Sequence, residues 1–184
     1  MEKTDKTKPE KKGKERGKDT LYRVTLRNQI NLISLADQKA NIIIGINAII
    51  ISLLIAILGS GVGIVGSRLF EIASLPVPLV ILILFCLASA IFSIISARPV
   101  KPKTKQEGIM YSSNIDTMSI DEYLNSLNKI FESENAFYAN LNIDMYYQGK
   151  SMNRKYRLLR IAYTIFLTGL IISVITFLIV FFLG

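Results

Sequence analysis

Three stretches of the chain hold almost nothing but apolar side chains, and polar residues crowd at their ends. Residues 42–58, 77–97 and 161–183 contain no Asp, Glu, Lys or Arg. With its flanks, each reaches the roughly 20 residues that a helix needs to cross a bilayer. Hydrocarbon offers no partner for a backbone N–H or C=O, so such segments close their hydrogen bonds internally, as helices. The pattern predicts an all-α membrane protein with three transmembrane helices at 41–59, 77–97 and 158–183. Upstream of the first, Leu26, Ile30, Ile33, Ala36 and Ala40 recur at helical spacing. No Gly or Pro falls between Leu21 and Ile44. One helix is therefore expected to carry a stalk, 21–40, straight into the first span.

The remaining segments are polar. Residues 1–20 have no large apolar residue after Met1 and are expected to be disordered. They are either a solvated tail or a lipid-headgroup contact through Lys11, Lys12, Lys14, Arg16 and Lys18. The interleaved acids favour the first. Residues 60–76 contain Gly61, Gly63, Gly66 and Pro76 and read as an external loop, with a short interfacial helix at 68–73. Residues 98–157 form a small helical domain. Ser119 and Glu122 make a capping box ahead of Leu124, Leu127, Ile130 and Phe131. Phe137, Leu141, Met145 and Tyr146 continue the helical pattern, as one helix or a pair, to about Gln148, where Gly149 is expected to break or bend it.

Charge orients these parts. The 184 residues carry a net charge of +8, most of it in the tail and in 98–160, against one Arg in the 60–76 loop. The positive-inside rule places the N terminus and the helical domain in the cytoplasm and the C terminus outside, in a multi-pass inner-membrane protein. Basic charge distributed this way reads as topology, and nothing points to nucleic acid. The chain has no His and a single Cys, Cys86, inside an apolar run. No phosphate loop, metal-ligand spacing or nucleophile with a base is present, so neither a metal nor a catalytic role is expected.

Candidate chemistry gathers at the membrane. Gly45, Ala48, Ser52 and Ala56 put small residues on one face of the first span, and close packing there is expected, on a helix of this chain or of a neighbouring copy. Ser89, Ser93 and Ala97 do the same on the second. Asn47 lies within the first apolar run, as an interhelical hydrogen bond or as a gate position. Asp37, Gln38, Lys39 and Asn41 cluster at the start of that span, and Lys150, Arg154, Lys155, Arg157 and Arg160 at the start of the third. The basic group reads as the inside flank of a span or as an anion site beside Tyr146, Tyr147 and Tyr156. At matched membrane depth, Asp37 is expected to pair with Arg154 or Lys155.

These two junctions carry a resemblance. The run Leu35-Ala36-Asp37-Gln38-Lys39-Ala40-Asn41-Ile42, with Ile46-Asn47-Ala48 and Ser52, resembles the first-span signature of the bacterial Pycsar transmembrane effectors. Asp144, Tyr146, Gly149, Arg154-Lys155-Tyr156, Leu159-Arg160, Ala162-Tyr163, Phe166 and Gly169 resemble the last-span signature of the same family. The resemblance runs from about residue 21 to 177 and leaves out the tail.

Membership implies an antiphage effector without enzymatic activity or cofactor. A pyrimidine nucleotide cyclase would be its functional partner, through a diffusible product, cyclic CMP or cyclic UMP. The effector would then impair the inner membrane and abort the infection. By this resemblance Asp37, Gln38, Lys39, Asn41, Asp144, Tyr146, Arg154 and Lys155 are candidates for ligand binding or gating. Three spans are too few to enclose a water-filled path, so a homo-oligomer in the lipid bilayer is expected. The other interpretation is a constitutive membrane adaptor whose cytoplasmic helices dock a partner.

Overall fold

The computed structural model describes residues 7–59, 76–99 and 118–183, all helical apart from short caps. Four helices follow in order: α1, Thr7–Gly59; α2, Pro76–Ala97; α3, Ile120–Phe131; and α4, Glu134–Leu183. α1, α2 and α4 are each long and apolar enough to cross a membrane. The all-α, three-span architecture is as the hydropathy predicts. The chain divides into two units, Met1–Ser34 with Lys101–Met152 and Leu35–Val100 with Asn153–Gly184.

In the first unit α1 and α4 run parallel. Tyr22 stacks on Tyr138 at 5.1 Å, and its hydroxyl donates to Asn142 Oδ1 at 2.9 Å. Gln29 Nε2 donates to the Met145 carbonyl at 3.2 Å, and Tyr138 Oη donates to Asp19 Oδ1 at 2.7 Å. The partners stay 116 to 120 residues apart in sequence, the fixed offset of a parallel pair. α3 opens on the predicted capping box: Ser119 Oγ accepts from the Glu122 N–H, and Glu122 Oε2 accepts from the Ser119 N–H. Its Ile130 is buried.

In the second unit the three spans meet on faces spaced by three, four or seven residues. α1 buries Ala36, Ala40, Ile43, Asn47 and Leu54; α2 buries Cys86, Ser89, Ser93 and Ser96; α4 buries Lys155, Leu159, Ala162, Gly169 and Ser173. That spacing keeps one seam of each helix facing its partners over several turns. Ala40, Ile43, Leu159 and Ala162 form the apolar core of the seam, with Phe92 and Ala97 against it. Three serines tie α2 to α4 in antiparallel register. Ser96 Oγ donates to the Lys155 carbonyl at 2.9 Å, Ser89 Oγ to the Ala162 carbonyl at 2.9 Å, and Ser173 Oγ to the Pro78 carbonyl at 2.8 Å. The donors Ser89 and Ser96 lie seven residues apart, as do their acceptors, so the register is held along the pair. Between these bonds the backbones come close: a Cβ built on Gly169 would fall onto Phe85 Cβ and lie 2.5 Å from its Cγ.

Two expectations change, and a third narrows to one of its alternatives. The tail is helical from Thr7 onward. Its Lys, Glu and Arg are good helix formers, Pro9 sits in the first turn where a missing N–H is harmless, and the Asp19–Tyr138 bond anchors its end. Gly149 neither breaks nor bends off a helix, since α4 runs through it; a mid-helix glycine costs about 1 kcal/mol, less than ending a packed helix would. The break comes earlier, between α3 and α4 at Glu132 and Ser133. Among the described residues Gly45, Ala48, Ser52 and Ala56 meet no helix of this chain, which leaves the neighbouring copy: all four are exposed, and no described atom lies within 4 Å of a Cβ built on Gly45. The face that packs within the chain is the one marked by Ala40 and Asn47. The interfacial helix expected at 68–73 lies outside the described residues.

Candidate functional site

The spanning unit places an ion pair at the start of its helices. Lys155 Nζ donates to Asp37 Oδ1 at 2.5 Å, with the lysine side chain 7% exposed and the aspartate 38%. Of the two partners expected for Asp37, the lysine is chosen by helical phase. Lys155 lies on the buried seam of α4, in series with Leu159 and Ala162, whereas Arg154 is turned about 100° away and is exposed. Gln38, Lys39 and Asn41 are exposed as well, so the sequence cluster at the first junction does not close into one site. Asp37 is its one member joined to α4 by an ion pair among the described residues.

Deeper in the unit the polar groups continue. Asn47 is fully buried and donates through Nδ2 to Ser89 Oγ at 3.1 Å. Ser89 passes the bond on to the Ala162 carbonyl. One buried hydroxyl thus links all three spans. Asn47 is therefore an interhelical hydrogen-bond residue, as one of its two expected roles holds. Ser96 and Ser173, which fasten α2 to α4, carried no distinguishing signal: serine is common in spans, and only the register reveals their acceptors.

The first unit carries a separate feature. Asn142, Ile143, Tyr146 and Tyr147 line an open depression of about 490 Å³ on α4. Tyr146 is 66% exposed and meets Tyr147 edge to face at 5.4 Å. An exposed aromatic ring face can stack on a planar ligand. Lys150 follows Tyr146 by one helical turn and is exposed. Asp144 is buried, 2% exposed, so it belongs to the interior of this unit and not to the depression. Tyr22 and Gln29, which hold α1 against this stretch of α4, were not singled out in the sequence; their spacing of seven is the signal that would have found them. Among the described residues no group of three or more His, Cys, Asp or Glu could hold a metal ion.

The family model for the Pycsar effector protein domain matches residues 21–183, which takes in the parallel pair, both junctions and all three spans. Neither a curated protein nor a solved structure matches the chain. The family is one of effectors, not a known enzyme family. With the match covering nearly the whole of the described chain, this protein belongs to the Pycsar effector family, as a membrane-spanning component of antiphage defence.

Proposed function

We propose that the protein is the membrane-damaging arm of a Pycsar system, switched on by a cyclic pyrimidine nucleotide. A pyrimidine cyclase supplies that nucleotide on infection, the effector binds it on its cytoplasmic unit, and the inner membrane loses its ion tightness. The observation that carries this is the family match running unbroken through the cytoplasmic helices and the spans. The Tyr146 and Tyr147 depression suits a pyrimidine base, with Lys150 one turn on for the phosphate. α1 and α4 are each one uninterrupted helix, so a change in how their cytoplasmic stretches pack has a covalent route into the spans. The exposed face of Gly45, Ala48, Ser52 and Ala56 suits a second copy of the chain, and the basic flanks orient the N terminus to the cytoplasm.

Cells carrying the protein and its cyclase test this. Induction of the cyclase is expected to depolarise the membrane within minutes, as read by a potential-sensitive dye. Tyr146→Ala is expected to reduce the response about tenfold, the usual loss for one stacked base. Unchanged potential on cyclase induction, with the protein confirmed in the membrane, would rule the proposal out.

A further inference from the structure

The spanning unit hides more polar groups than it bonds. Asn47, Ser89, Ser93 and Ser96 are at most 1% exposed, yet Asn47 Oδ1 and Ser93 Oγ have no hydrogen-bond partner among the described residues. Both atoms flank the same group. Asn47 is bonded to Ser89, and Ser93 is one helical turn from Ser89 on the same buried face. A buried amide oxygen without a donor is costly, and one water with two or three polar partners removes the cost. The hydroxyls of Ser89 and Ser93 and the Asn47 oxygen are such partners.

Buried polar groups mark both ends of the seam. Lys155 and Ser173 bound the series on α4, about 27 Å apart at the helical rise, against a hydrocarbon layer of about 30 Å. Between them come Ser93, Asn47 and Ser89, all within about 11 Å of Lys155 along α4; the next stretch of about 16 Å, from Ala162 to Ser173, buries Leu54, Cys86 and Gly169 and no polar side chain among the described residues. The outward faces hold exposed Ile, Leu, Val and Phe instead. Where α2 and α4 touch, at Phe85 and Gly169, the seam is shut.

We propose that this seam, opened between α2 and α4 and closed off from lipid by a second copy of the chain, is the path that small inorganic ions take when the effector is activated, with a water at Asn47 and Ser93 as its resting seed. This rests on the proposed membrane-permeabilising function. Activation moves α2 away from α4, the three serine-to-carbonyl bonds are exchanged for water, and the seam fills. Discrimination between ions is weak, because residues 42–59, 76–97 and 161–183 contain no charged side chain and the Asp37–Lys155 pair at one end is nearly neutral in sum. A second copy then supplies the wall that three spans lack, while the seam supplies the polar groups.

The chain contains its own reporter. Cys86 is its single cysteine, is fully buried, and lies on the seam three residues before Ser89 and seven before Ser93. A thiol reacts with a charged methanethiosulfonate only where water reaches it. The full chain in liposomes would be exposed to trimethylammonium-ethyl methanethiosulfonate with and without cyclic CMP or cyclic UMP. Potassium efflux would be followed in parallel, with Ser93→Leu beside the unsubstituted protein. Labelling of Cys86 is expected to rise at least about tenfold with the nucleotide, and labelling to block further efflux. Ser93→Leu is expected to cut the nucleotide-triggered efflux about tenfold while leaving nucleotide binding intact. Nucleotide-triggered efflux with Cys86 unlabelled would overturn the seam as the path and leave the membrane-permeabilising function standing. Absence of efflux from the unsubstituted protein with every nucleotide would overturn both. The labelling arm uses the natural sequence, so a folding defect in Ser93→Leu does not blunt it.

Discussion

Gly169→Ala is expected to destabilise the protein strongly in detergent, lowering its apparent Tm by roughly 5–10 °C. The added methyl would land on the Cβ of Phe85, which is fixed to the α2 backbone and has no rotamer to escape into. α2 and α4 must therefore part. They are fastened on either side, by Ser89 to the Ala162 carbonyl and by Ser173 to the Pro78 carbonyl, at 2.9 and 2.8 Å. Parting the helices by an ångström stretches both bonds out of range. Overpacking costs about 1–3 kcal/mol, and each lost interhelical bond about 0.6 kcal/mol more. Gly45→Ala is the control. Nothing lies within 4 Å of its built Cβ, and alanine is the better helix former, so stability is expected to hold or rise slightly. Circular dichroism melts of the two variants check this. Equal stability of Gly169→Ala and the unsubstituted protein would mean that the spans do not touch there. A loss on Gly45→Ala would mean that a second copy packs on that face.

The second large effect is an asymmetry in the ion pair. Asp37→Ala leaves a lysine ammonium that is 7% exposed with no counter-ion, whereas Lys155→Met leaves a carboxylate that is already 38% exposed and can hydrate. Breaking a fully buried pair costs about 3–5 kcal/mol; with one partner this exposed, about 2 kcal/mol is expected for Asp37→Ala. Lys155→Met keeps the length and volume of the side chain on an apolar seam, so it is expected to be neutral or stabilising. The double variant should then match Lys155→Met. Urea or thermal unfolding of the three variants in one detergent gives the coupling directly. Additive losses would mean that the two residues do not form the pair.

How much of this was legible varied with the physics involved. Bilayer thickness and the lack of hydrogen-bond partners in lipid fix the number and length of spans, so 42–58, 77–97 and 161–183 could be read directly. The Ser119 and Glu122 box is a local pattern with one solution, and it formed as expected. Pairing of Asp37 across the junction followed from matched depth, but the choice of Lys155 over Arg154 needed the phase of α4. The packing face of the first span was hidden for a different reason. Lipid tails are as apolar as leucine, so hydropathy does not separate the lipid face from the helix face. Two sets of positions in the first span follow the three-and-four rule, 45-48-52-56 and 40-43-47-54. Asn47, a polar side chain that lipid would not solvate, is the residue that marks the one packed within the chain. Gly149 misled because glycine weakens a helix without ending it when neighbours hold both sides; Gln29 Nε2 lies 3.6 Å from its built Cβ. Of the residues proposed for ligand or gate, Asp37 and Lys155 come together, Tyr146 lies on an open depression, and Gln38, Lys39, Asn41 and Arg154 stay in exposed positions.

The central claim is that a cyclic pyrimidine nucleotide makes this protein permeabilise a membrane. Purified protein in potassium-loaded liposomes tests it most directly, with efflux followed while cyclic CMP, cyclic UMP, cyclic AMP and cyclic GMP are added in turn. Rapid efflux with a cyclic pyrimidine nucleotide and little with the purine ones is the expected result. Liposomes that stay ion-tight with every nucleotide, while the protein is inserted and folded, would contradict the account.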